Sequence, residues 1–175
     1  MKLRFELEPR IDIAEKLFPQ VIELISKYDD ACDEGNVKKI ASAIKAINEL
    51  TSKGISEEDL FEYWGAENIE DVAFKLSVPD PVKVDNITRE ELLEIIRRIR
   101  CIFSESYIEN SINSSISSIH FINISDYYFS LIDKNFAYPN PNSNMFSYKD
   151  TNGKVVELSD EQVAEKISSH KSIML

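Results

Sequence analysis

The 175-residue chain contains few cysteine, histidine and glycine residues. Its two cysteines, Cys32 and Cys101, are far apart and belong to no C-x-x-C or Cys/His motif, which favours free thiols in a reducing compartment over a disulfide framework. The four glycines form no phosphate-binding loop. We therefore expect neither a metal site nor a bound cofactor.

Long apolar runs are also missing. No stretch approaches the roughly 20 residues that a membrane-spanning helix needs, and the amino-terminal MKLRFELEPR lacks the apolar core of a signal peptide. We therefore expect a cytoplasmic protein without a membrane partner. A chain of this length with 43% hydrophobic residues can bury a sizeable core, and we predict a single domain, 1–175.

Positive charge is scarce relative to negative charge. The chain has 31 Asp and Glu against 20 Lys and Arg, a formal net charge of −11. Binding to nucleic acid or to an anionic membrane requires Lys and Arg that neutralise phosphate, so this balance argues against both partners. It suits a basic protein partner, and it equally suits solubility alone.

The clearest helical pattern covers 88–108, where apolar residues recur at the spacing of one broad helix face. Thr88 and Glu91 form a T-x-x-E capping box at its start. Arg97 and Arg98 lie opposite the apolar face, so we expect them in solvent. For Arg100, at the edge of that face, we prefer a stem that runs along the core to the alternative, a buried ion pair with a neighbouring carboxylate.

Other helices are predicted over about 14–28, 36–52, 56–64 and 68–76, with a kink or break at Pro19. Strands are predicted over 3–7, 116–124 and 127–132, and a hairpin over 146–158 turns at Asn152-Gly153. The predicted fold is α+β. A helical half, about 10–108, packs on one side of an antiparallel sheet of about four or five strands from about 116–158, and a helix of about 160–170 follows.

The segment between Lys53 and Lys75 contains no other Lys or Arg but many acidic residues. The aromatic pair Tyr63-Trp64 lies near the middle of this segment. Acidic residues around an aromatic pair are the composition expected where a basic partner docks. The alternative is that Trp64 belongs to the core and that the acids favour helix amino termini. The candidate partner-binding residues are Glu57, Glu58, Asp59, Glu62, Tyr63, Trp64, Glu67, Glu70 and Asp71.

Residues with catalytic potential are few. His120 falls in an apolar segment and His170 at the end of the last predicted helix, and neither belongs to a catalytic motif. Asp150 and Glu157 lie on the two strands of the hairpin, and Lys149 and Lys154 flank its turn. A metal-dependent nuclease could use such carboxylates, but charged residues beside a hairpin turn usually face solvent. We expect a protein that is not an enzyme.

In general character, a small, acidic, cysteine-poor chain rich in Ile, Asn and Ser and without catalytic motifs resembles the bacterial immunity proteins that neutralise secreted toxins. That resemblance implies a binding module for a basic toxin domain such as a nuclease. One alternative is an adaptor subunit or homo-oligomer that pairs through a sheet edge or through the Ile-rich region 108–124. Another is a carboxylate- and metal-dependent enzyme.

Overall fold

A computed structural model describes residues 2–64, 68–102 and 120–171. The chain forms two compact units. Unit 1 combines Met1–Glu8 with Pro81–Leu175, and unit 2 is the intervening Pro9–Asp80. The prediction of a single domain stays a prediction, and we describe each unit by itself.

Helices make up most of the described chain. In order they are α1 (Ile11–Asp33), α2 (Val37–Thr51), α3 (Glu57–Trp64), α4 (Ile69–Ser77), α5 (Arg89–Ile102), α6 (His120–Phe136) and α7 (Asp160–Lys171). Two short 3-10 helices cover Phe5–Leu7 and Ser143–Phe146. The strands are β1 (Ser147–Lys149) and β2 (Val155–Glu157).

The predicted sheet of four or five strands is wrong. The described residues contain one two-stranded antiparallel sheet, and helices occur throughout the chain rather than in its first half alone. Segment 127–132 lies inside α6, and the described end of segment 116–124 also enters that helix. The rest of 116–124 lies outside the described residues.

The reason for this error is visible in the burial of α6. Its aromatic and β-branched residues suggested strands, but one line of buried residues recurs every three or four positions: Ile124, Tyr128, Leu131 and Asn135. The other buried residues of the helix flank this line. That spacing gives a helix one continuous buried face, here packed on α5 and α7. Tertiary packing thus overrides the strand propensity of the individual residues.

The amino-terminal strand is also wrong. Leu3 and Leu7 are buried, whereas Phe5 between them is 65% exposed. An alternating strand would place all three side chains on one face. The segment instead forms a 3-10 turn, in which the amide of Leu7 donates to the carbonyl of Arg4.

Unit 2 is a helical bundle in which α1 packs against both α2 and α4. Pro19 lies inside α1, which is one continuous helix, so the predicted break into two helices is absent. Asn36 caps α2 by accepting a hydrogen bond from the amide of Lys39. The core combines side chains from all four helices and includes Val21, Ile25, Tyr28, Ile40, Ile47, Leu60, Val72 and Leu76.

Unit 1 is built around α5, which contacts α6 and α7. The predicted capping box is confirmed: the amide of Thr88 donates to Glu91 (2.9 Å) and the amide of Glu91 donates to the Thr88 hydroxyl (3.2 Å). Arg4 donates two hydrogen bonds to the same carboxylate, at 2.6 and 3.0 Å. Although burial opposes it, these contacts with Arg4 and Thr88 lower the pKa of Glu91.

Two arginines of α5 have structural roles. Arg98 is not a solvated residue, because its side chain donates to Glu8 at 2.6 Å and to the Tyr128 hydroxyl at 2.7 Å. Arg100 forms the ion pair of the alternative interpretation, although its side chain is half-buried rather than buried: it donates to Asp160 at 2.9 Å and to the carbonyl of Leu158 at 2.8 Å. The basic side chains of α5 therefore hold other segments of unit 1 in place.

The hairpin prediction is confirmed in position, with Tyr148 opposite Val156. Its turn is not type I′, because Gly153 has a positive φ of 77° and Asn152 does not. The Asp150 carboxylate accepts hydrogen bonds from the amides of Asn152 (2.8 Å) and Lys154 (2.9 Å). A type I turn that ends in a left-handed glycine fits this pattern.

Two further predictions concern the end of the chain and the membrane. The last helix is confirmed, with Ser159 and Gln162 forming its capping box at 2.8 and 3.3 Å. None of the helices in the described ranges is both long and apolar enough to cross a bilayer.

Candidate functional site

The acidic segment singled out in the sequence forms α3 and α4 of unit 2. Glu57, Glu58 and Asp59 are exposed in the first turn of α3. In the first turn of α4, Glu70 is exposed and Asp71 is half-buried. The side chains of the remaining candidates lie outside the described residues: Glu62, Tyr63, Trp64 and Glu67.

Asp59, one of the partner-binding candidates, also has a local structural role. Its carboxylate accepts hydrogen bonds from the amide and the hydroxyl of Ser56, both at 2.7 Å, and its own amide donates to that hydroxyl at 3.2 Å. These hydrogen bonds lower the pKa of Asp59. The residue therefore fixes the start of α3 and leaves Glu57 and Glu58 as the exposed acids of this turn.

A second group of acids, at the carboxyl end of α1, was not among the candidates. The sequence predicted a helix that ends near residue 28, but α1 continues through Asp29 and Asp30 to Asp33. The last turn of this helix contains no basic residue. Negative charge at a helix carboxyl end opposes the macrodipole, so helix stability does not explain these aspartates.

The carboxylates of this group repel one another. Partial burial, followed by the charges of Asp30 and Asp33, raises the pKa of Asp29. None of the three forms an ion pair with a described residue. The carboxyl end of α1 is therefore a site of uncompensated negative charge.

The end of α1 and the start of α3 meet around Tyr28. This tyrosine is 3% exposed, and burial, its neighbour Cys32 and then the charge of Glu57 raise its pKa to about 12. Leu60, one turn after Glu57, belongs to the same hydrophobic core as Tyr28. The end of α1 and the start of α3 therefore both lie near Tyr28, and we group their acids under one name, the acidic face: Asp29, Asp30, Asp33, Glu57 and Glu58.

An exposed aromatic side chain lies on α3 beside the acids of its first turn. Leu60 and Phe61 are adjacent apolar residues of this helix. Leu60 is buried, whereas Phe61 is 64% exposed. Phe61 lies three and four residues after Glu58 and Glu57, the spacing that places side chains on one helix face. It supplies an exposed aromatic side chain where the sequence had suggested Tyr63 and Trp64.

The residues considered for catalysis have other surroundings. Asp150 is occupied by the amides of its own turn, as described above, and Glu157 is exposed on β2. His170 packs edge-on against Tyr138, with ring centroids 5.0 Å apart. The side chain of His120 lies outside the described residues. Within the described ranges, no three His, Cys, Asp or Glu side chains are grouped as metal ligands would be.

Comparison with known proteins gives no match: no protein-family model, no curated protein sequence and no solved structure is significantly similar to this chain.

Proposed function

We propose that this protein is a non-enzymatic binding module that engages a basic protein partner through the acidic face. The observation that carries the proposal is the concentration of carboxylates without an ion pair to a described residue at the end of α1 and the start of α3, two segments of unit 2 whose helices share one core around Tyr28. Like charges brought together at a helix carboxyl end reduce stability. A partner that neutralises these charges removes the repulsion, and this favourable change contributes to the binding free energy.

The acidic face and Phe61 have complementary roles in this proposal. Unpaired carboxylates attract a basic partner over distances of about a Debye length and speed its encounter. Charged pairs at an exposed surface add little affinity on their own. An exposed aromatic ring can be desolvated by the partner and supply much of the remaining binding free energy.

The proposed partner class is a basic toxin domain such as a nuclease, following the resemblance of the sequence to immunity proteins. In that case the module neutralises the toxin by covering its active site with the acidic face. Strand pairing, the mode proposed for an adaptor, has only the short edges of the β1–β2 hairpin to use within the described residues.

The test is capture of partners by the immobilised protein from a lysate of the cells that produce it, with washes of low and then high salt. We expect one stoichiometric basic protein that is retained at low salt and released as salt rises, because salt screens exposed charges. Recovery of the bait alone, or of a partner insensitive to salt, would contradict the proposal.

A further inference from the structure

The surface of unit 2 carries a groove between α1 and α2 with a volume of about 460 Å³. Its floor is apolar and consists of one leucine and three small side chains: Leu24, Ala31, Ala43 and Ala46. Such short side chains let another element approach the two helices closely. The groove is therefore shaped to accept apolar side chains from outside.

The basic and acidic side chains on the rim of this groove differ in whether they form ion pairs. Lys27 donates to Glu23 at 2.7 Å, and Lys39 donates to Glu34 at 2.7 Å. Both cations are thus neutralised by carboxylates of their own unit. Asp30, which also lines the groove, forms no ion pair with a described residue. The uncompensated charge of the groove is negative.

The groove is continuous with the acidic face. Asp30 belongs to both, and Asp29 and Asp33 lie in the same part of α1. An occupant that follows the groove therefore meets an apolar floor first and unpaired carboxylates at one end. This arrangement is complementary to a segment with an apolar stripe and a Lys or Arg near its end.

We propose that the groove binds an amphipathic helix of the basic partner, an inference that rests on the proposed function. Apolar side chains on one face of that helix fill the floor, as in other helix-in-groove complexes, and a basic side chain pairs with Asp30. From Leu24 to Glu34 the groove follows α1 for about 15 Å at 1.5 Å per residue. A partner helix of about ten residues matches that length.

The experiment uses two synthetic peptides of about twelve residues, made of leucine and lysine in the same proportions. One places its leucines at helical spacing, and the other has the same residues in scrambled order. Binding to the full-length protein is measured by fluorescence anisotropy. We expect the patterned peptide to bind about tenfold more tightly, since burying one leucine contributes at least that factor.

Two variants test whether the preference for the patterned peptide arises in the groove. Ser42 is an exposed groove residue, so Ser42→Trp places a bulky ring in the groove and should remove the preference for the patterned peptide. Ser26 is also exposed and does not line the groove, so Ser26→Trp should retain that preference. Circular dichroism of both variants checks that the helices are intact.

The outcomes separate this inference from the proposed function. Equal binding of the two peptides, or a preference that survives Ser42→Trp, overturns the groove proposal. In either case the variant Asp33→Lys/Glu57→Lys/Glu58→Lys, whose residues lie outside the groove, should still weaken binding of both peptides. If that variant binds them as the wild type does, the acidic face itself is wrong. Absence of binding by either peptide also overturns the groove proposal.

Discussion

Removing two negative charges from the end of α1 should make the protein more stable. Asp30 and Asp33 are exposed in the last turn of α1 and form no ion pair with a described residue. Each charge at such a position costs about 0.3–1 kcal/mol through the helix macrodipole. The amide of asparagine keeps the shape of the side chain, so Asp30→Asn/Asp33→Asn should raise the free energy of unfolding by about 1 kcal/mol.

The assay is thermal and urea unfolding at neutral pH and low ionic strength. For a chain of this size, a gain of about 1 kcal/mol raises the Tm by roughly 2–4 °C. The gain should shrink in high salt, because the charges are exposed and therefore screened.

The matched control removes the same number of charges from the opposite end of a helix. Glu57 and Glu58 lie in the first turn of α3, where negative charge favours the macrodipole. Glu57→Gln/Glu58→Gln should therefore lower the free energy of unfolding by a similar amount. If both double variants shift stability in the same direction, net charge rather than position decides the effect, and the reasoning about α1 is refuted.

Three further predictions concern single side chains. The pKa of Asp29 is raised in the folded protein, so its ionised form reduces stability. In urea unfolding, Asp29→Asn should therefore raise the free energy of unfolding at pH 7. It should leave that free energy unchanged well below the ordinary aspartate pKa of about 3.9. Because the pKa of Glu91 is lowered, its contribution to stability is present above the ordinary glutamate pKa of about 4.3 and is lost in acid. The free energy of unfolding of Glu91→Gln should therefore fall less steeply than that of the wild type between about pH 5 and 3. Equal slopes for the two proteins would count against this prediction. Asn135 makes three hydrogen bonds, two of them to the 82–84 segment, so Asn135→Ala should cost about 1–3 kcal/mol in chemical unfolding. Asn144→Ala, at an exposed residue, should change stability by less than about 0.5 kcal/mol.

Local sequence signals identified the starts of two helices well. The capping pairs of Thr88 with Glu91 and of Ser159 with Gln162 act within one turn, so their spacing alone identifies the start of a helix. The hairpin at Asn152-Gly153 was found for the same reason, although its turn type was not. These features depend on residues that are close in sequence.

Features that depend on distant residues were missed. Aromatic and β-branched residues made α6 look like strands, and only its packing on α5 and α7 shows that a helix buries them. The prediction that Arg98 lies in solvent was an error of the same kind, because its partners Glu8 and Tyr128 are far away in the sequence.

The candidate site was predictable only in part. Composition identified the acids of α3, because the segment after Lys53 contains no positive charge before Lys75. It could not show that the end of α1 lies beside them, since that contact arises from packing around Tyr28. Nor could helical spacing show which of Leu60 and Phe61 is buried, because the two residues are adjacent and the width of the buried face depends on the neighbouring helices.

The central claim is that the acidic face binds a basic partner. It is tested most directly by the affinity of the captured partner for the variant Asp33→Lys/Glu57→Lys/Glu58→Lys, measured calorimetrically. The control Glu15→Lys/Asp133→Lys/Glu157→Lys makes the same change in charge at exposed residues outside the face. An exposed ion pair contributes about 0.2–1 kcal/mol, and reversal replaces this attraction with repulsion.

When these energies are summed over the three reversed residues, they predict at least a tenfold loss of affinity for the first variant, because about 1.4 kcal/mol corresponds to a factor of ten. The control variant should bind nearly as the wild type does, because none of its three residues belongs to the acidic face. Equal affinity of the two variants would contradict a binding role for the acidic face.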